Sequence, residues 1–192
     1  MERGGASRGR PGTELHILHI VAAMLHSLAA IGGQGPGMTI IRPARFPEDR
    51  MAVLDIWREF VSSPRASLDF QNNEAEFADL PGKYAPPGGR LLLADRSGAI
   101  DGCIALRRVD AGLCEMKRLY VRPRARGRGL GRRLVEQLIA EARAAGYAEM
   151  RLDVLAEFEQ ARALYAAFDF KPAPPVTYNP IPGTAFLGRR LD

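Results

Sequence analysis

The sequence predicts an α/β fold of the layered α+β kind, with a mixed, largely antiparallel central sheet and helices on both faces. Three observations predict it. Short apolar or alternating segments and helix-spaced segments follow one another in the order β-α-α-β-β-β-α-β-α-β-β. Three consecutive strands in the middle are joined by tight turns, which makes them antiparallel neighbours. The third of these carries Glu115, Lys117 and Arg118, too polar for a strand buried on both faces of a parallel sheet.

Each element has a local reason. Thr39–Pro43 is a short strand that Pro43 ends. From Pro47 to Val61 the apolar residues Met51, Leu54, Trp57, Phe60 and Val61 recur at helical spacing, with Glu48 and Asp49 in the first turn. A weaker helix runs from Asn73 to Leu80. The link between the two, residues 62–70, is long enough to wall a pocket, and Pro81-Gly82 and Pro86-Pro87-Gly88-Gly89 close the region. Strands follow at residues 90–95, 99–109 and 113–121, the last two joined through Asp110-Ala111-Gly112. Leu134, Leu138, Ile139 and Ala142 mark one face of a helix over 130–145, capped by Gly146. A strand at 150–154, a helix at 160–168, a strand begun by Phe170, a Pro-rich loop from Pro172 to Pro182 and a strand at 185–191 complete the domain.

Bulk properties narrow the classes of function. A chain of 192 residues, 46% hydrophobic and 26% charged, suits one soluble domain. The net charge of +5 is concentrated. Between Lys117 and Arg133 lie Lys117, Arg118, Arg122, Arg124, Arg126, Arg128, Arg132 and Arg133 with no acidic residue, so the remaining sequence is slightly acidic. That distribution favours one polyanionic ligand over general nucleic-acid binding, and Tyr120 is the lone aromatic in the basic segment. The register of the hairpin sets Cys103 opposite Tyr120, not opposite Cys114. Both cysteines are therefore expected as buried free thiols of a reducing cytoplasm, and no metal-type spacing is present.

Residues 1–37 are expected to form an extension outside the domain at 38–192, disordered or with one loose helix. Residues 1–12 are rich in Gly and Arg, and an apolar run follows over residues 13–31. A signal peptide and a membrane span are the competing readings. His16, His19 and His26 interrupt the apolar run and weigh against both, so an upstream translated extension with Met38 opening the domain is preferred.

The chemistry concentrates where a strand ending at Val121 meets an Arg- and Gly-rich loop and then a helix. The first amides of a helix lack internal partners, and its dipole favours an anion there. Gly127, Gly129 and Gly131 admit a phosphate without a Cβ in the way, and the arginines add charge-assisted hydrogen bonds. A dinucleotide fingerprint from Gly127 needs glycine at position 132, which is Arg. Asp153 lies at a distance that mimics its ribose-binding acid, a coincidence on this reading. A Walker loop lacks its Gly-Lys-Ser/Thr.

The run from Cys114 to Phe170 resembles the GCN5-related N-acetyltransferase (GNAT) superfamily. Arg126, Gly129 and Gly131 match its Gln/Arg-x-x-Gly-x-Gly/Ala motif, and Ala161–Tyr165 through Phe168-Asp169-Phe170 is similar to its segment of a tyrosine followed by a Gly-Phe pair. Asp169 replaces the usual glycine, which commonly ends a helix in the left-handed region. The resemblance implies fourth and fifth strands that splay apart, and acetyl-CoA as cosubstrate. Its pantetheine would lie along Leu119, Tyr120 and Val121, with the pyrophosphate on the amides of Arg126, Gly127, Arg128, Gly129, Leu130, Gly131 and Arg132. It implies Tyr165 as the acid for the departing thiolate and Glu115 as a base toward an attacking amine, directly or through water. Tyr178 and Asn179 on the late loop, with Phe70 across from them, are candidates for the acceptor pocket, and Arg65 and Tyr84 are weaker ones. The expected reaction is acetylation of a primary amine of a small molecule, amino acid or peptide by direct attack. The alternative is a non-catalytic acetyl-CoA sensor or interaction module on the same fold. No metal, nucleic acid or membrane is expected as a partner, and a homodimer would be in keeping with the resemblance.

Overall fold

Apolar residues on the longer strands give the sheet two faces to bury, and two groups of helices cover them. The computed structural model describes Met1, residues 38–64 and residues 73–191. The extension expected over residues 1–37 lies outside the described residues except for Met1, and Arg65 and Phe70 lie outside them too. Thr39–Asp192 is one compact unit. Its elements are β1 (Ile40–Pro43), α1 (Arg50–Val61), α2 (Asn73–Ala78), β2 (Arg90–Arg96), β3 (Ala99–Arg108), β4 (Leu113–Val121), α3 (Leu130–Ala144), β5 (Glu149–Val154), α4 (Glu159–Ala167), β6 (Lys171–Pro172) and β7 (Ala185–Arg190). These are the expected elements in the expected order. Short 3₁₀ turns at Gly82–Tyr84 and Pro123–Ala125 are additions.

The strands form one sheet in the order β1-β2-β3-β4-β5-β7-β6. Every neighbouring pair is antiparallel except β4 with β5. Cys103 stands opposite Tyr120, as the hairpin register predicts. The two thiols are buried and free, and loss of water pushes each up to about 12. Neither is a nucleophile at neutral pH.

Two cores result. On one face Leu134, Val135, Leu138 and Ile139 of α3 pack with Met150, Leu152, Tyr165 and Phe170 over β2–β5. On the other, Val53, Ile56 and Trp57 of α1 pack with Phe77, Tyr84, Leu91, Leu93 and Ala105. Each apolar side chain buried this completely contributes about 1.5–3 kcal/mol.

Two irregularities place the site. The parallel pairing of β4 with β5 covers Leu113–Glu115 against Glu149–Arg151 and then stops, so the strands part beyond Glu115. On its other side β4 carries a bulge. The register with β3 slips between Cys103 and Ala105, and Arg118 takes φ 60°. A left-handed arginine costs about 1–2 kcal/mol, and its side chain is held in return. Its guanidinium donates to Glu76 at 2.7 and 3.0 Å and to Asn73 at 2.8 Å, and stacks 5.2 Å from the Trp57 ring and 5.4 Å from Phe60. The bulge thus clamps β4 to α1 and α2 where β4 leaves β5.

Candidate active site

The parting of β4 and β5 opens a cavity of about 780 Å³. One wall is the β4 segment Met116–Val121, where the pairing to β5 has ended and the backbone on that edge faces the opening. At one end of the cavity lies the glycine-rich loop. Gly127 and Gly129 have φ of 76° and 70°, and a Cβ at either would meet no atom within 4 Å. The space above both glycines is therefore open. Gly129 is the N-cap of α3 and no side chain caps it; the first backbone bond into the helix is Arg133 N to Gly129 O at 3.1 Å. The amides of Leu130, Gly131 and Arg132 accordingly have no acceptor within the helix, which makes the loop a cradle for a phosphate.

The arginines differ in their freedom. Arg126 folds back, donating to Val121 O at 2.9 Å with its guanidinium 5.7 Å from the Tyr120 ring. Arg132 lies over Phe168 at 4.9 Å and lines the cavity. Arg128 is exposed and lies outside the cavity lining. Arg124, just ahead of the loop, is anchored to the buried carboxylate of Asp101 at 2.8 Å, which also binds Arg96 at 2.6 Å.

Tyr165 closes the far side. It is buried on α4 and lines the cavity. The end of its helix holds it. Phe170 N donates to Tyr165 O at 3.1 Å and Asp169 N to Ala166 O at 3.0 Å, while Asp169 takes φ 60°. That is a Schellman cap with aspartate in the glycine position, and its hydrophobic contact is Tyr165 against Phe170 at 5.8 Å. Burial raises the Tyr165 hydroxyl above its ordinary 10.0, and the charge of Asp153 raises it further. The phenol therefore keeps its proton at any physiological pH.

The remaining expected residues divide. Leu119, Tyr120, Val121, Arg126, Gly127, Gly129, Leu130, Gly131, Arg132, Tyr165 and Asn179 share the one cavity. Glu115 does not line it. Its carboxylate is buried, accepts from Arg107 Nε at 2.6 Å and from the Thr177 hydroxyl at 3.3 Å, and lies 3.6 Å from Lys117 Nζ. Tyr178 stands 80% exposed, away from the lining. Tyr84 is buried in the core beside Trp57. The side chain that sequence reasoning set aside is Asp153. It lines the cavity on the parting strand β5, takes Asn179 Nδ2 at 2.6 Å, and pairs with Lys117 at 3.4 Å. Its place between buried Leu152 and Val154 is the signal that could have found it. Among the described residues, no group of three His, Cys, Asp or Glu side chains could hold a metal ion. No helix among them is long and apolar enough to cross a membrane.

Comparison with known proteins agrees with this geometry. The family model described as the acetyltransferase (GNAT) family matches residues 51–170. An uncharacterized N-acetyltransferase of Schizosaccharomyces pombe is 38% identical over 154 residues, covering 79% of this chain and 94% of its own. Among solved structures, a GNAT-family acetyltransferase from Staphylococcus aureus aligns with a TM-score of 0.68 at 18% identity, over 81% of this chain and 100% of that one. An acetyltransferase described as putative, from Salmonella typhimurium and solved with its cofactor acetyl-CoA, aligns with a TM-score of 0.61 at 22% identity, over 81% and 95%.

Proposed function

The chain belongs to the acetyltransferase (GNAT) family, and from that premise we propose that it moves an acetyl group from acetyl-CoA to a primary amine of a small molecule, amino acid or peptide. The observation that carries the proposal is the single cavity joining the uncapped start of α3, the unpaired edge of β4 and the Tyr165 side chain. The acetyl-CoA bound to the Salmonella relative supports the choice of donor.

The residues fit such a donor. The amides of Leu130, Gly131 and Arg132 suit a pyrophosphate, with Gly127 and Gly129 leaving room for it. The open edge of β4 over Leu119–Val121 offers backbone groups to an amide-bearing arm, as an added strand would use them. The amine nitrogen attacks the thioester carbonyl, the C–N bond forms and the C–S bond breaks. Tyr165 faces the charge that develops on sulfur. Burial keeps its proton in place until the C–S bond breaks, so its hydroxyl is a hydrogen-bond donor to the thiolate as that charge forms. Glu115 and Arg107 fix the late loop through Thr177, so that loop's Asn179 stays at the cavity.

The test is a panel of small amines, amino acids and short peptides incubated with acetyl-CoA while free thiol is followed. Amine-dependent thiol release supports the proposal. Tight coenzyme A binding with no thiol release on any amine would leave a binding module instead.

A further inference from the structure

Resting on that reading of the cavity, we propose that Asp153, on β5, is the carboxylate that receives the acceptor amine and takes a proton from its nitrogen. Two acidic side chains stand near the parting of the strands, and their surroundings differ. Glu115 lies under the paired part of β4, outside the cavity lining, with one oxygen bound by Arg107 and the other facing Thr177 and Lys117. An amine could reach it only by displacing Arg107 from a buried carboxylate, which is strongly unfavourable. Asp153 stands one strand over, two residues beyond the last position of β5 paired with β4, on the same cavity as Tyr165. Its Oδ2 is fixed by Asn179 at 2.6 Å, and among the described residues its Oδ1 has only the long 3.4 Å contact to Lys117. That second oxygen can be shared with an incoming N–H. The effect of its charge on the Tyr165 hydroxyl shows that the two ends of the reaction are in electrostatic reach of each other.

Other charged groups face the cavity, and none is as well placed. Glu157 and Glu159 belong to the turn and first residue leading into α4, two turns of helix before Tyr165. Lys117 approaches Asp153 from β4, and Asn179 covers it from the late loop.

An ammonium loses its first proton to solvent at the cavity mouth. The free amine then adds to the thioester carbonyl, and its nitrogen becomes a cationic, strongly acidic centre. Asp153 accepts the second proton as the C–S bond breaks, and the thiolate, held by the Tyr165 hydroxyl, is protonated from solvent. The carboxylic acid returns its proton to solvent, so that one ammonium and one thioester give one amide, one thiol and one proton.

The experiment compares wild type with Asp153→Asn, Asp153→Ala and Glu115→Gln on an amine acceptor found in the panel, with coenzyme A affinity and thermal midpoint measured for each. A general base contributes about 10²–10⁴-fold, so kcat/KM should fall at least 100-fold in both Asp153 variants. Coenzyme A affinity should be unchanged, and Glu115→Gln should lose far less activity. Added formate should restore activity to Asp153→Ala, because a small carboxylate can occupy the vacated space, and should do nothing for Glu115→Gln. Near-wild-type turnover in Asp153→Asn, or an Asp153→Ala loss that formate leaves untouched, overturns the assignment while the transferase reading stands. If wild type acetylates no amine, the transferase reading itself fails and this assignment falls with it.

Discussion

Glu115 and Arg107 form a pair whose members are unequally hidden: the Glu115 side chain is 2% exposed and that of Arg107 is 23%. The inequality makes the pair informative. Removing Arg107 takes the nearest countercharge from a buried carboxylate and leaves it Thr177 and the longer contact to Lys117, whereas removing the charge of Glu115 leaves a guanidinium that still reaches water. Arg107→Ala should therefore destabilise the fold by about 3–5 kcal/mol, and Glu115→Gln should cost clearly less, as denaturant midpoints would show. Tyr165 makes a different kind of contribution. Its Phe substitution keeps the ring against Phe170 and removes only the donor, so kcat should fall about 100-fold with coenzyme A affinity and melting temperature unchanged. Since burial raises the phenol, Tyr165 should contribute no alkaline limb to the pH–rate profile below its ordinary 10.0. Such a limb, absent in Tyr165→Phe, would contradict its buried placement.

The two longest helices after the glycine-rich loop end in the same way. Gly146, at φ 83°, closes α3 through Gly146 N to Arg143 O at 2.9 Å and Tyr147 N to Ala142 O at 3.1 Å. Asp169 closes α4 with the same pattern but with a Cβ in the left-handed region. Its ion pair with Lys171 offsets little, because both side chains are about three-quarters exposed. Replacing it with glycine removes a cost of about 1–2 kcal/mol and adds about 0.5–1 of unfolded-state entropy. Asp169→Gly should thus stabilise the domain by roughly 0.5–1 kcal/mol, read as a higher thermal midpoint. Elements of this kind were legible because their causes are local: apolar spacing on α1 and α3, Gly146 after α3, and Asp110 with Gly112 between β3 and β4. The bulge at Arg118 was not. It is stabilised by Glu76 and Asn73 from a helix more than forty residues earlier, and nothing in the local sequence carries that contact. Asp153 was missed for a related reason. Its alternation with apolar Leu152 and Val154 was visible, but its place at the cavity depends on where the pairing of β4 with β5 ends, and a parallel register between distant segments cannot be read from either strand alone.

Across the whole domain, charge pairs join elements far apart in the chain, and they set an acid limit on stability. Asp49 is held low by its bonds with Arg42, and Asp101 by Arg96 and then Arg124, in each case against partial desolvation. For Glu76 burial acts in the opposite sense and is outweighed by Arg118 and Lys83. All three bind a proton less readily folded than unfolded. Their stabilisation is complete above the ordinary carboxyl values of 3.8 and 4.5, and is lost as pH falls through the lower folded values. Denaturant midpoints should be flat from neutral pH down to about 5 and drop steeply below 4. The donor end of the site is legible in the amino-acid sequence, since a glycine-rich loop, the strand ahead of it and the tyrosine after it are written in one contiguous stretch. The acceptor end draws on β4, β5 and the late loop at once, and only the fold assembles it. The proposed reaction is amine acetylation from acetyl-CoA in the cavity between β4 and β5. Its most direct test follows isotope from acetyl-labelled acetyl-CoA into the acceptor by mass spectrometry, alongside free thiol. Labelled amide and thiol appearing in equal amounts, both abolished when the amine is omitted, is the result expected; thiol released at the same rate without amine, or no label on any amine, would contradict it.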